Sequence, residues 1–132
     1  MTTLERSTGG TGRPLNAPLL TFDIPALLTQ IKEESTWRTG SRNAITLLKT
    51  RGLRVVLVVM HAGTVIPPHR AEGPITVQVL EGQLVFSAGS KDVTLAPGQV
   101  LTLQPGIAHG LEAKGECGFL LTIASEAAHP AE

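Results

Sequence analysis

This chain of 132 residues has no tyrosine, one tryptophan, three phenylalanines and a single cysteine. One thiol, Cys117, cannot close a disulfide within the chain, which excludes a disulfide scaffold and points to a reducing, cytoplasmic setting. The missing tyrosine excludes any mechanism that needs a phenol as its acid. Charge of one sign is also missing. Eleven basic residues balance eleven acidic ones, so the bulk attraction behind non-specific nucleic-acid binding is absent. No apolar run is long: the longest, Val55 to Met60, falls far short of the ~20 residues that span a bilayer. The opening segment Met1 to Arg6 carries no stretch of signal-peptide length. Neither a nucleic-acid partner nor a membrane is expected.

What is present is an ordinary globular composition, 42% hydrophobic and 17% charged, of a length that one domain with a real core fills. Residues 1–17 are rich in Thr, Gly, Ser and Pro and read as a flexible tail, as do residues 125–132 with His129. Residues 18–124 read as the single folded domain. Within it, residues 18–37 predict a short strand and then a helix. Asp23 is placed to cap the first turn, Pro25 to sit inside it, and Ile24, Leu27, Leu28 and Ile31 to form one apolar face. Gln30, Lys32, Glu33 and Glu34 form the opposite, solvated face, and Trp37 reads as an apolar plug or dimer contact.

Residues 42–124 are a succession of short apolar runs parted by Gly and Pro, the all-β pattern. Strands are predicted at 43–49, 53–61, 75–80, 83–88, 91–95, 99–103, 108–113 and 118–124. Val55 to Met60 and Phe119 to Ile123 are apolar throughout instead of alternating. They are therefore expected to be buried on both faces, as in a two-sheet sandwich closing on itself.

Two imidazoles stand out within this pattern. His69 follows Pro67-Pro68 ahead of the run from Ile75 to Leu80, and His109 follows Gln104-Pro105-Gly106 behind the run Val100 to Leu103. Strand, rigid turn and imidazole, repeated, is a way for a small barrel to aim side chains into its own mouth. The alternation along the strands places Val77, Val79, Val100 and Leu111 inward as pocket walls, and Arg70, beside His69, could clamp a carboxylate.

The stretch from Gly63 to His109 resembles a cupin domain. The family's first motif carries a glycine, His-x-His, a glutamate and a second glycine, of which Gly63, His69 and Gly82 are present here. The second, a glycine, a strand and Pro-x-Gly-x-x-His, is matched by Gly98 and Pro105-Gly106-Ile107-Ala108-His109. The resemblance implies an all-β, double-stranded β-helix (jelly-roll barrel) of the RmlC-like kind, preceded by the short strand and helix. It also implies a metal site of three histidines and a glutamate. Here Ala71 stands where the second histidine belongs, and Ile75, or Thr76, where the glutamate belongs.

Two imidazoles alone hold a divalent transition metal such as Zn, Fe, Ni or Mn weakly. A resident metal needs recruits, and His61 is the best placed in sequence as third ligand or general base, with Glu72 and Gln78 as weaker oxygen donors. The expected function is binding of a small organic molecule in the barrel, through a weak divalent site at His69 and His109. The alternative is a metal-dependent oxidoreductase of dioxygenase type, or an isomerase, acting on a small, largely apolar acid. A homodimer through residues 18–24 and the helix is expected, because the apolar outer strand faces ask for a cover.

Overall fold

The computed structural model describes residues 13–125. The tail positions 1–12 and 126–132, His129 among them, lie outside the described residues. The strands are β1 (Arg42–Thr50), β2 (Leu53–Met60), β3 (Val65–His69), β4 (Ile75–Glu81), β5 (Leu84–Ala88), β6 (Lys91–Leu95), β7 (Val100–Leu103), β8 (His109–Ala113) and β9 (Cys117–Ala124). Two helices precede them, α1 (Ile24–Ile31) and α2 (Ser35–Thr39). The strands form a five-stranded sheet in the order β1-β2-β9-β4-β7 and a four-stranded sheet in the order β3-β8-β5-β6. All pairings are antiparallel. This is the two-sheet sandwich expected from the turn pattern, in the jelly-roll form that the family resemblance implies.

The alternation within strands builds the interior. In β4, Ile75, Val77 and Val79 are buried while Thr76, Gln78 and Leu80 are not. They meet Leu84 and Phe86 of β5, Leu111 and Ala113 of β8, and Phe119 and Leu121 of β9 in one cluster between the sheets.

The other face of the five-stranded sheet explains the apolar runs without alternation. Ile45, Leu47, Leu57 and Val59 point outward and are covered by Ile31 and Trp37, with Phe22, Ile24, Leu27 and Leu28 packed around them. The cover that the apolar outer face demands thus comes from α1 and α2 of the same chain. Asp23 caps α1 by accepting from the Ala26 amide at 3.1 Å. Lys32 and Glu34, expected to be solvated, instead hold the helix down. Lys32 pairs with Glu81 and, at 2.8 Å, with Glu116, and Glu34 accepts from the Asn43 amide at 2.8 Å.

Three local differences from the sequence reading have physical reasons. Pro67 and Pro68 were expected to break the chain, yet both lie in β3. β3 is the edge of its sheet, where the missing N–H groups face no partner strand. The strand expected at 18–24 does not form; the extended segment before α1 touches the sheet through the Lys49 amide, which donates to Leu15 O at 2.8 Å. The short helix α2 was not foreseen, because five residues carry too little periodicity to detect.

Candidate functional site

β3 and β8 pair so that His69 stands directly opposite His109. A register shift between Ile66 and His69 absorbs the two prolines. The ring centroids lie 4.4 Å apart, tilted by 56°. The sequence separates these residues widely, and the sandwich makes them neighbours at one end of the barrel. On its other side His109 stacks on Phe86, with centroids 5.3 Å apart and planes 10° from parallel. His109 is buried at 4% exposure.

Each ring is oriented by the backbone carbonyl two residues before it. Nδ1 of His109 lies 2.9 Å from Ile107 O, and Nδ1 of His69 lies 3.2 Å from Pro67 O. A carbonyl oxygen only accepts, so Nδ1 carries the hydrogen in both rings and donates it. In the neutral ring the lone pair is then on Nε2. Burial pushes the His109 imidazole below its ordinary range. The Ile107 hydrogen bond opposes the push, and the neighbouring His69 adds to it. At neutral pH, His109 is therefore an uncharged ring whose Nε2 accepts hydrogen bonds.

The two histidines line a small cavity with Ala71, Ile75, Val77, Phe86, Leu111 and residues of β9. Its volume is about 20 Å³, room for about one water. Apart from the imidazoles, the wall is aliphatic and aromatic. Ala71 and Ile75, the residues standing where the family motif carries its second histidine and its glutamate, face this same space.

The remaining sequence-predicted site residues divide. Val77 and Leu111 line the cavity. Val79 is fully buried in the interior but does not reach the cavity wall. Val100 is a correction: it is 57% exposed. It pairs with outward Gln78, while Leu101 stands opposite inward Val77. One position of slip along a strand exchanges the faces, and Thr102 was the polar marker of the outward phase. Arg70 lies on the adjoining groove, not in the cavity.

His61 is the second correction. It belongs to the outer layer, its ring stacked on Trp37 at 3.5 Å and 17°, and its Nε2 donates to Trp37 O at 2.8 Å. An imidazole committed to α2 cannot serve as third ligand to the His69–His109 pair. Glu72 walls the outer groove, and Gln78 stands in the outward phase of β4. The reading of the sequence missed Phe86 as the ring beside His109. The available signal was its phase with Leu84 across Leu84-Val85-Phe86.

A transition metal of the family kind does not fit this donor set. Two imidazoles are offered, the other two ligand positions are a methyl and a sec-butyl group, and iron or zinc sites use three or four protein ligands. Among the described residues no group of three or more His, Cys, Asp or Glu could hold a metal ion.

A family model described as a cupin domain matches residues 56–123. The chain belongs to the cupin family. Among curated proteins none matches it. Among solved structures it is similar to a cupin superfamily protein from Desulfitobacterium hafniense, with 18% identity and a TM-score of 0.61 over 63% of this chain and 76% of that one. A conserved protein of unknown function from Streptococcus pyogenes gives 19% identity and a TM-score of 0.65, covering 85% and 92% of the two chains. Salicylate 1,2-dioxygenase from Pseudoaminobacter salicylatoxidans gives 14% identity and a TM-score of 0.72, covering 93% of this chain but 38% of that one. At such identities the likeness is one of fold. No helix among the described residues is long and apolar enough to cross a membrane.

Proposed function

We propose that this cupin binds a small organic molecule at the histidine end of its barrel, without a resident metal. The binding group is a small hydrogen-bond donor on the ligand, held by Nε2 of His69 and His109. One observation carries the reading: Ala71 and Ile75 share the cavity of the two histidines, so the space left by two ligand side chains is walled by hydrocarbon.

The complement of such a site follows from its chemistry. Two acceptor nitrogens in an apolar wall are matched by donors on the ligand, each such hydrogen bond contributing about 0.5–1.5 kcal/mol net. A space of about 20 Å³ admits a hydroxyl or amino group and little more. The rest of the ligand therefore lies outside, across the barrel end. A metal-dependent oxidoreductase or isomerase would need a third protein ligand, which the described residues do not supply.

The test is a titration of the full-length chain with benzyl alcohol in the presence of EDTA, followed by amide NMR. Saturable shifts confined to His109, Phe86 and their neighbours are expected, unchanged by the chelator and lost in His109→Phe. Binding that vanishes on chelation and returns with zinc would overturn the metal-free reading.

A further inference from the structure

Beside the histidine cavity, and sharing Ala71 and Ile123 with it, lies an open groove of about 470 Å³. That volume falls among those of small-molecule sites. One wall is the β3–β4 loop with Arg70 and Glu72; the other is the β1–β2 hairpin with Leu53 and Arg54.

Arg70 is held in place before any ligand arrives. Its Nη1 donates to Gly106 O at 2.7 Å, and the Gly106 amide donates back to Ala71 O at 2.9 Å. These two bonds tie the loop that follows His69 to the turn that precedes His109. They also fix a guanidinium that otherwise loses much rotamer freedom when it engages a ligand. Among the described residues no carboxylate pairs with Arg70, Glu72 in the same wall included. The other N–H donors of the fork remain for an acceptor in the groove.

We propose that this groove binds the carboxylate of a small organic acid through Arg70, the acid's apolar body lying over Ala71 and Ile123 toward the histidine cavity. The inference rests on the ligand-binding reading above and names the chemical class. The one guanidinium the groove offers from this loop, Arg70, stands beside the carboxylate of Glu72, a setting that suits a monoanion better than a dianionic phosphate. A planar carboxylate also fits the guanidinium fork in the bidentate manner. The ligand class is then a monocarboxylic acid with a donor group at its far end.

Benzoate, benzyl alcohol and inorganic phosphate separate the alternatives, titrated by NMR against the full-length chain and Arg70→Gln. Benzoate is expected to bind wild type more tightly than benzyl alcohol does, to weaken with added salt, and not to be displaced by equimolar phosphate. In Arg70→Gln its dissociation constant should rise roughly tenfold or more, as expected when a charge-assisted hydrogen bond is lost. Benzyl alcohol, which has no carboxylate to lose, should weaken far less in Arg70→Gln than benzoate does, and the dispersion of the amide spectrum shows whether the variant is folded. If Arg70→Gln fails to fold, the comparison of the two probes and the salt dependence on wild type decide the matter. Equal affinity of the two probes, unaltered benzoate binding in Arg70→Gln, or displacement by phosphate would overturn the carboxylate proposal. Retained benzyl alcohol binding would in those cases leave the histidine site standing; loss of both probes from wild type would overturn both readings.

Discussion

Gly73 is the tightest point of the candidate site, and replacing it with alanine is the sharpest test of the packing there. It is buried in the β3–β4 loop, within one wall of the groove. A Cβ on it would lie 1.9 Å from the carbonyl oxygen of Ala124 and 2.8 Å from that residue's carbonyl carbon. Both atoms are backbone, so no side chain can swing aside. Its φ lies outside the left-handed region, and the whole cost is therefore overlap. To reach an ordinary contact of 3.4 Å the end of β9 must retreat by about 1.5 Å. That movement breaks the bond from the Ala124 amide to Pro74 O, now 3.0 Å, and strains the adjacent pair Ile75–Ile123. A lost backbone hydrogen bond costs about 0.5–1.5 kcal/mol and an overpacked contact about 1–3 kcal/mol, which makes roughly 3 kcal/mol together. For a domain of this size the melting temperature should fall by roughly 10 °C. Ile75 and Ile123 both line the histidine cavity, so probe binding should weaken as well. Gly115→Ala is the control: its Cβ meets nothing within 4 Å, and no loss is expected. Thermal circular dichroism of the two variants decides it, and a Gly73→Ala protein melting within about 2 °C of wild type would refute the reasoning.

Two other predictions concern titration. The His109 ring titrates below its ordinary value of 6.5, chiefly through burial, so the unfolded chain binds more protons than the folded one beneath that pH. Its contribution to stability is full above 6.5 and is lost as the pH falls toward the depressed folded value. Urea midpoints should therefore drop between about pH 7 and pH 5, a range above most carboxylate titrations, and His109→Gln should flatten that part of the curve. A wild-type midpoint independent of pH over the same range would contradict the burial of the ring. Cys117 is fully enclosed, and its thiol is pushed up to about 11 by burial, with the charges of Glu81 and Glu116 adding to the effect. It should resist a thiol reagent such as DTNB in the folded protein and react only on unfolding; prompt labelling of the native chain would show that β9 opens at its start.

The barrel was legible because its strands are short and sharply punctuated. Gly82, Gly98 and Gly106 all take positive φ at the turns where the sequence set breaks, and eight of the nine strands lie where the apolar runs predict them. β3 was hidden by Pro67-Pro68, because the rule against proline in strands relaxes at an edge, and which strand is an edge is a tertiary fact. The pairing of β3 with β8 is likewise non-local, so the juxtaposition of His69 and His109 was an expectation that only the register could place. His61 shows the limit most plainly. Its position at the end of β2 gave its distance along the chain, whereas its partner Trp37 lies in a helix too short to be foreseen. Val100 illustrates the other difficulty, an apolar run in which one polar residue, Thr102, alone fixes the phase.

The most direct test of the account is the metal content of wild type beside the double substitution Ala71→His/Ile75→Glu. Both proteins would be incubated with zinc, nickel, iron and manganese, desalted, and analysed by elemental mass spectrometry. Wild type should retain well under one metal per chain, since two imidazoles and two hydrocarbon walls hold a divalent ion weakly. The double variant adds the two missing donors to the cavity wall and should retain close to one. A full equivalent of metal on wild type, abolished by His69→Ala and by His109→Ala, would contradict the account.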